Sequence, residues 1–238
     1  MQDHERTIEF EFVRATENAA LNSLPWLGRG EKELADAAAC DAIYGVFDLV
    51  DICGEVVIGE GIKDNAPGIF LGEQLGTWRP GSPRFDIALD PIDGTSNIAN
   101  GLPNSISVMA ASEVTNGSGH VMKNIPTFYT EKLAYGPAVV KAMETGMERF
   151  DLDTPIEQIL PKVAEALRKR VSELVVMTMK RERHEKFIAA VRKAGAALRL
   201  ITDGDITAAV TPSLPDPSVD LYYGIGGGPR KAFSPPLP

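Results

Sequence analysis

Most of the reactive side chains that this sequence offers at close spacing stand in one stretch, Asp-Ile-Ala-Leu-Asp-Pro-Ile-Asp-Gly-Thr-Ser-Asn-Ile-Ala-Asn-Gly, from Asp86 to Gly101. Asp90 and Asp93 are three residues apart. Two carboxylates held this close repel each other, and both stay ionised cheaply only when a cation is shared. Hard oxygen donors on a rigid turn suit Mg²⁺ or Mn²⁺. Thr95 follows Gly94, at a point where a helix can begin and aim free backbone N–H groups at an anion. The chemistry suggested is a divalent-metal phosphate site. By composition alone the same residues also suit an ordinary Asp-Pro…Asp-Gly turn whose carboxylates cap backbone amides.

The elements around that stretch follow from periodicity. Phe85, Ile87 and Leu89 alternate with Asp86, Ala88 and Asp90, so a strand is expected to run into the acids and to stop at Pro91. Two amphipathic helices are expected ahead of it, over residues 8–24 and 33–50. Asp36 falls in the first turn of the second helix, where an acid ordinarily just complements the helix dipole. A short strand at 55–58 leads into Gly59-Glu60-Gly61, whose glycines let Glu60 project from a strand end. Residues 62–84 read as a loop-rich connection with a short strand, and 105–112 and 128–135 read as further strands. Asp151-Leu152-Asp153-Thr154-Pro155 reads as a linker, dividing an α+β domain over 1–150 from a second domain over 151–238. Thr154 with Glu157 fits a capping box, Pro155 fits the first helical position, and Pro161 is expected to kink or divide the helix that follows. Strands at 174–179, 197–201 and 219–223 alternate with helices at 183–194 and 205–210, the pattern of a small open α/β sheet.

The chain has 238 residues, 44% of them hydrophobic, enough for one large domain or two small ones. Lys and Arg number 24 against 33 Asp and Glu, a net charge of −9. Such an acidic protein has no general attraction for nucleic acid or anionic membranes, so neither is expected as a partner. An anionic substrate then needs cations or local Arg residues to invert the field. Cys40 and Cys53 form no metal-ligand spacing and read as buried free thiols. The charged N-terminus and the lack of a long apolar run point to a cytoplasmic enzyme.

The order Asp90-Pro91-Ile92-Asp93-Gly94-Thr95 resembles the signature of the metal-dependent, lithium-sensitive sugar phosphatases. Around it, Trp26-Leu27-Gly28-Arg29-Gly30-Glu31-Lys32, Ala35-Asp36, Val57-Ile58-Gly59-Glu60-Gly61 and Asp64-Asn65-Ala66-Pro67 are similar to the class II fructose-1,6-bisphosphatases in particular. Tyr129-Thr130-Glu131-Lys132-Leu133-Ala134-Tyr135-Gly136, Arg183-His184, Asp203-Gly204-Asp205 and Tyr223-Gly224-Ile225-Gly226-Gly227 continue the match in order. The resemblance implies an α/β protein of layered α-β-α-β-α type: an α+β metal-binding domain followed by an α/β sugar-phosphate domain that is incomplete here. It implies hydrolysis of the 1-phosphate of fructose 1,6-bisphosphate, in gluconeogenesis or the Calvin cycle, and the same action on sedoheptulose 1,7-bisphosphate as a further substrate. It implies two or more Mn²⁺ or Mg²⁺ ions, one held by Asp36 and Glu60 and another by Asp90 and Asp93, with Thr95, Asp36 and Glu60 catalytic. It gives substrate contacts to Asp93, Gly94, Thr95, Tyr129, Arg181, Glu182, Arg183, Asp203, Gly204, Asp205 and Gly227, and a homo-oligomer for the full-length protein. Lys32 and His184 receive no role.

Two departures bear on this. Asp93 stands where the class II enzymes are expected to have Glu, whereas Asp belongs to the inositol monophosphatase form of the motif. An inositol-phosphate or nucleotide phosphatase is therefore the other enzyme reading. Arg230 stands where the family places a metal-ligand Glu, and the sequence after Pro229 departs from the family. One choice of codons for the last ten residues, read in a shifted frame, encodes Pro-Glu-Gly-Val-Leu-Ser-Ala-Ala-Ala, so a frameshifted, truncated copy is expected. A sugar-phosphate-binding pseudoenzyme is the corresponding non-enzyme reading.

Overall fold

The computed structural model describes residues 2–59, 68–115, 119–123, 125, 127 and 129–227, with side chains from residue 7 onward. The chain forms two compact units. One is built from the part preceding Tyr129, with Gly227 counted in it, and the other from Tyr129–Gly226. Each is an α/β assembly with its own four-stranded sheet.

In the first unit, α1 (Gln2–Ser23) and α2 (Lys32–Phe47) pack on each other and on one face of a sheet. Ala35, Ala39, Ile43 and Phe47 recur every four residues along α2 and are all buried, as a helix with one apolar stripe requires. Ala15 and Ala19 of α1 are fully buried too, and such small side chains let another element approach closely. Phe12 sets its edge on Phe47 at 5.2 Å and on Phe85 at 5.7 Å, joining both helices to the sheet. That sheet comprises β1 (Cys53–Ile58), β2 (Gln74–Leu75), β3 (Arg84–Asp93) and β4 (Ile106–Glu113), in the order β2-β1-β3-β4. The β1–β3 pair is parallel and the other two are antiparallel. Phe85, Ile87, Leu89 and Met109 all belong to the core beneath the helices. Each fully buried side chain of this size contributes about 1.5–3 kcal/mol.

β3 does not stop at Pro91, as its sequence suggests, but runs on to Asp93. The ladder with β4 slips between Asp90 and Asp93, with Asp90 opposite Val108 and Asp93 opposite Ile106. Three steps on β3 thus match two on β4, which is a bulge, and a bulge is where a strand tolerates a proline. A short helix, α3 (Thr95–Ala99), follows at once. Cys40 is buried as expected, whereas Cys53 is half-buried; both are free thiols.

The second unit contains β5 (Tyr129–Tyr135), α4 (Pro137–Glu144), α5 (Ile156–Leu167), β6 (Val175–Met179), α6 (Glu185–Ala194), β7 (Ala197–Ile201), α7 (Asp205–Val210) and β8 (Leu221–Gly227). Strand order is β5-β8-β6-β7, with β6 parallel to both β7 and β8. Alternate residues feed separate cores. Val176, Leu198 and Leu221 join a cluster with α4, α5 and α6, while Val175, Met177 and Tyr222 join Ala208 of α7. Helices therefore cover both faces, as expected of an open parallel sheet.

The units divide at residue 128/129 rather than at the expected 150, because β5 lies beside β8 in the second sheet. The reading of α5 also changes. Pro161 lies inside one continuous helix, on its exposed side, where water can solvate the carbonyl that the proline leaves without a donor. Pro155 is the residue before the helix, and no side chain caps it. Thr154 Oγ1 instead donates to Asp151 Oδ1 at 3.0 Å and accepts the Asp151 N–H at 3.1 Å, closing the preceding turn on itself.

Candidate functional site

In the first unit the bulge decides the geometry. Residues three apart on a regular strand point to opposite faces, but Val108 and Ile106 are two apart on β4 and share one. Their partners Asp90 and Asp93 therefore share that face also, while Leu89 and Ile92 both reach the helix-side core. Asp93 is buried, and Asp90 is half-buried with Oδ1 accepting the Ile92 N–H at 3.1 Å. Gly94 then takes φ +91°, a conformation that strains any residue with a Cβ, and Thr95 opens α3. Ser105 Oγ donates to the Gly94 carbonyl at 2.7 Å and braces the turn. Asp36 lies just past the first turn of α2, because the helix begins at Lys32 and the acid in its first turn is Glu33; Asp36 Oδ1 is buried, and α2 packs against both β3 and α3. Glu60 lies outside the described residues, among which no three His, Cys, Asp or Glu side chains gather in metal-holding reach. The chemistry of the Asp90–Asp93 pair nevertheless fits a hard divalent cation, since Mg²⁺ characteristically takes one or two carboxylates and completes its shell with water and phosphate oxygens. A cavity of about 300 Å³ behind the turn is lined mostly by apolar residues such as Leu24, Leu27, Ile92 and Leu102, with Asn104 and Ser105 among its polar ones; none of these acids lines it.

The face of β3 that carries Asp90 also carries Asp86, four residues earlier, which is buried. Its carboxylate accepts from Val121 N at 2.6 Å, from Met122 N at 2.9 Å, and pairs with His120 Nδ1 at 2.9 Å. Burial works to raise the Asp86 pKa, but the His120 bond and the two amides together bring it below its ordinary value. His120 is correspondingly raised, first by that bond and then by the charges of Asp86 and Glu55, against burial and Arg84. Sequence alone gave His120 no signal, because its partner is 34 residues away.

In the second unit the expected residues gather at one edge. Parallel strands end together, so the segments after β6, β7 and β8 meet at the carboxyl edge of the sheet, where α/β proteins place ligands and where strand order here reverses across β6. Arg181 and Arg183 follow β6 and part company. Arg181 donates to the Thr202 carbonyl at 2.5 Å on the β7 side, and Arg183 Nε donates to the Ile225 carbonyl of β8 at 2.7 Å. Glu182 lies between them in a one-turn 3-10 helix, Glu182–His184. The Arg183 guanidinium stands 5.0 Å from the centre of the Tyr129 ring, a cation–π contact with an aromatic that is 59% exposed. Asp203 accepts the Gly204 N–H at 3.1 Å, and Gly204 takes φ +84° to start α7.

Asp205 pairs with Lys132 at 2.6 Å, a residue that sequence reasoning passed over inside the β5 motif. A Cβ on Gly226 would strike the Asp205 carboxylate, so the glycine there makes room for this pair. His184 is fully buried. Burial lowers its pKa, opposed by its bond to the Met179 carbonyl and aided by Arg183 and Arg181. Tyr223 donates to Glu131 at 2.5 Å, and burial followed by this bond raises its pKa. Gly227 ends β8.

An α/β scaffold with an acid pair on one sheet and a cation-bearing carboxyl edge on another is the class of protein that the sugar-phosphatase resemblance implies. Comparison with known proteins narrows it. A family model described as bacterial fructose-1,6-bisphosphatase, glpX-encoded, matches residues 6–233. Fructose-1,6-bisphosphatase 1 class 2 of Escherichia coli K12 is 40% identical over 229 residues, which cover 96% of this chain and 64% of that protein. Fructose-1,6-bisphosphatase class 2 of Haemophilus influenzae is 41% identical over 225 residues, 94% of this chain and 63% of that one. The chain belongs to the bacterial, glpX-type fructose-1,6-bisphosphatase family, and it spans somewhat less than two thirds of the length of these curated relatives.

Proposed function

We propose that this chain carries the machinery of a metal-dependent phosphatase that removes the 1-phosphate of fructose 1,6-bisphosphate, giving fructose 6-phosphate and phosphate. Sedoheptulose 1,7-bisphosphate is a second substrate of the same chemistry. The observation that carries the reading is the bulge that turns Asp90 and Asp93 to one face of β3. The names of the relatives support the substrate.

In this reading Asp90 and Asp93 hold one Mg²⁺ or Mn²⁺, and Asp36 and Glu60 hold another. Such ions, when bound, activate water and screen the phosphate charge. The protein's own part is positioning. Thr95 orients the attacking water, and the Gly94 and Thr95 amides touch the phosphate. Arg183, with Nε committed to Ile225, keeps its two terminal nitrogens for a phosphate, the geometry in which guanidinium binds best. Tyr129, Arg181, Glu182, Asp203, Gly204, Asp205 and Gly227 complete the sugar-bisphosphate contacts. The domain roles follow, metal binding in the first unit and sugar-phosphate binding in the second. A cytoplasmic homo-oligomer completes the proposal. Among the described residues no helix is long and apolar enough to cross a membrane.

Phosphate release from fructose 1,6-bisphosphate, with Mn²⁺ or Mg²⁺ and again with EDTA, tests the proposal. Release that persists in EDTA would remove the metal. Faster release from inositol monophosphate would favour the reading that Asp93 suggests. One sequence observation favours binding without hydrolysis: Arg230 stands where the family resemblance calls for a carboxylate, and guanidinium cannot become a metal ligand. Tight fructose bisphosphate binding with no phosphate release is the outcome expected of that second reading.

A further inference from the structure

His184 has no part in the chemistry above, yet its buried ring joins two strands at the carboxyl edge. Nε2 accepts the N–H of Ile225 in β8 at 2.9 Å, and Nδ1 lies 2.7 Å from the Met179 carbonyl at the end of β6. A ring nitrogen that accepts from an amide carries no proton. The partners therefore assign the neutral tautomer with its proton on Nδ1, donated to Met179. The far side of Ile225 matters as much. Its carbonyl accepts from Arg183 Nε, and the Arg183 guanidinium covers Tyr129.

Ile225 stands between Gly224 and Gly226, followed by Gly227. Glycines leave the backbone free to adopt many conformations, so the direction of the Ile225 carbonyl is poorly fixed by its own neighbours. Nor can Cβ atoms be added to stiffen it: at Gly224 one would meet the Tyr222 hydroxyl, and at Gly226 the Asp205 carboxylate. β5 pairs with β8 on one side, and on the other the His184 ring ties Ile225 to the end of β6. Packing holds the ring in turn, since Tyr223 meets it edge-on at 6.2 Å and Phe187 stacks on Tyr223 at 4.1 Å.

We propose that His184 is the positioning residue for Arg183: by clamping Ile225 to the end of β6 it holds the carbonyl that presents the Arg183 fork, across Tyr129, to the non-reacting phosphate of the substrate. The inference rests on the reading of Arg183 as a phosphate ligand, and the test separates the two.

Binding of fructose 1,6-bisphosphate and of fructose 1-phosphate to the 238-residue chain is measured calorimetrically with Mg²⁺ for four proteins: the unchanged chain, Arg183→Ala, His184→Phe and His184→Gln. Phe fills the space with neither hydrogen bond, whereas Gln offers a donor and an acceptor. Arg183→Ala and His184→Phe should each weaken bisphosphate binding by about tenfold or more and leave the monophosphate within about twofold. His184→Gln should recover most of the loss, and His184→Phe added to Arg183→Ala should lose nothing further. If Arg183→Ala leaves bisphosphate affinity unchanged, the phosphate-ligand reading fails and the clamp fails with it. If Arg183→Ala weakens binding but His184→Phe does not, or weakens both ligands alike, only the clamp is overturned. Nitrogen NMR of the unligated chain gives an independent check. Nδ1 of His184 should be the protonated nitrogen and Nε2 the bare one, and a proton on Nε2 would overturn the proposal even where no variant folds.

Discussion

Two side-chain pairs on the same face of β3 have opposite dependences on solution conditions. Asp90 and Asp93 repel each other and gain from a cation. Asp90→Asn keeps the size and removes the charge. It should lower phosphate release by about 10²-fold or more while the far-ultraviolet spectrum stays unchanged. An unfolded spectrum instead would make Asp90 a structural acid. Asp86 and His120 attract each other, and their contribution to stability has two limits. The raised His120 pKa makes its share complete below the ordinary value of 6.5 and lost as pH rises through the raised value. The lowered Asp86 pKa makes its share complete above the ordinary value of 3.8 and lost as pH falls through the lowered value. His120 is half exposed, so the gain is modest, about 1 kcal/mol for a charge-assisted bond screened by water. His120→Ala should therefore lower the melting temperature near pH 5 and have much less effect near pH 9. An equal loss at both pH values would mean that packing, not charge, holds His120 in place.

Elements in this protein accommodate residues that ordinarily end them, each in a different way. β3 absorbs Pro91 by bulging, and the bulge is what brings the acids onto one face. α5 absorbs Pro161 on its exposed side. The missing hydrogen bond there still costs stability, so Pro161→Ala should raise resistance to urea by about 1–3 kcal/mol without altering the helix. A decrease would show that the proline ring makes packing contacts worth more than the lost bond. Gly226 is the opposite case, a residue kept small so that neighbours can meet. Gly226→Ala should separate Lys132 from Asp205, and a loss of about 1–3 kcal/mol is the expected cost of the overlap. Reversing it with Asp205→Ala in the same chain would identify the carboxylate as the obstacle.

At the scale of the whole chain, two cores are built separately. Ile87 is fully buried in the core of the first unit and Leu160 in that of the second. Truncating either to Ala should cost about 2–5 kcal/mol. Because the clusters share no residue, Ile87→Ala should speed amide hydrogen exchange first in β1, β3 and β4, and Leu160→Ala first in β6 and β8. Simultaneous loss of protection in both sheets, for either variant, would mean that the units unfold as one.

The sequence by itself determined the kinds of element and most of their placement: both N-terminal helices, the strand carrying Asp86 and Asp90, and the alternation of strand and helix after residue 170. These depend on apolar spacing within a few residues, which is local information. Its ordered motifs also determined the family, because many short matches in one order are specific where each alone is not. Tertiary structure decided what depends on partners distant in the chain. Whether Asp90 and Asp93 share a face depends on the register with Val108 and Ile106, and one residue of slip would separate them. β5 joined the second unit through its place beside β8, some 90 residues later, so no local signal at the 151–155 linker could reveal it. Asp205 met Lys132, His120 met Asp86, and His184 met Ile225 in the same manner. Asp205, Asp86 and His184 are polar side chains largely or wholly removed from water, which would be costly alone, and only the folded chain supplies the partner that offsets the cost.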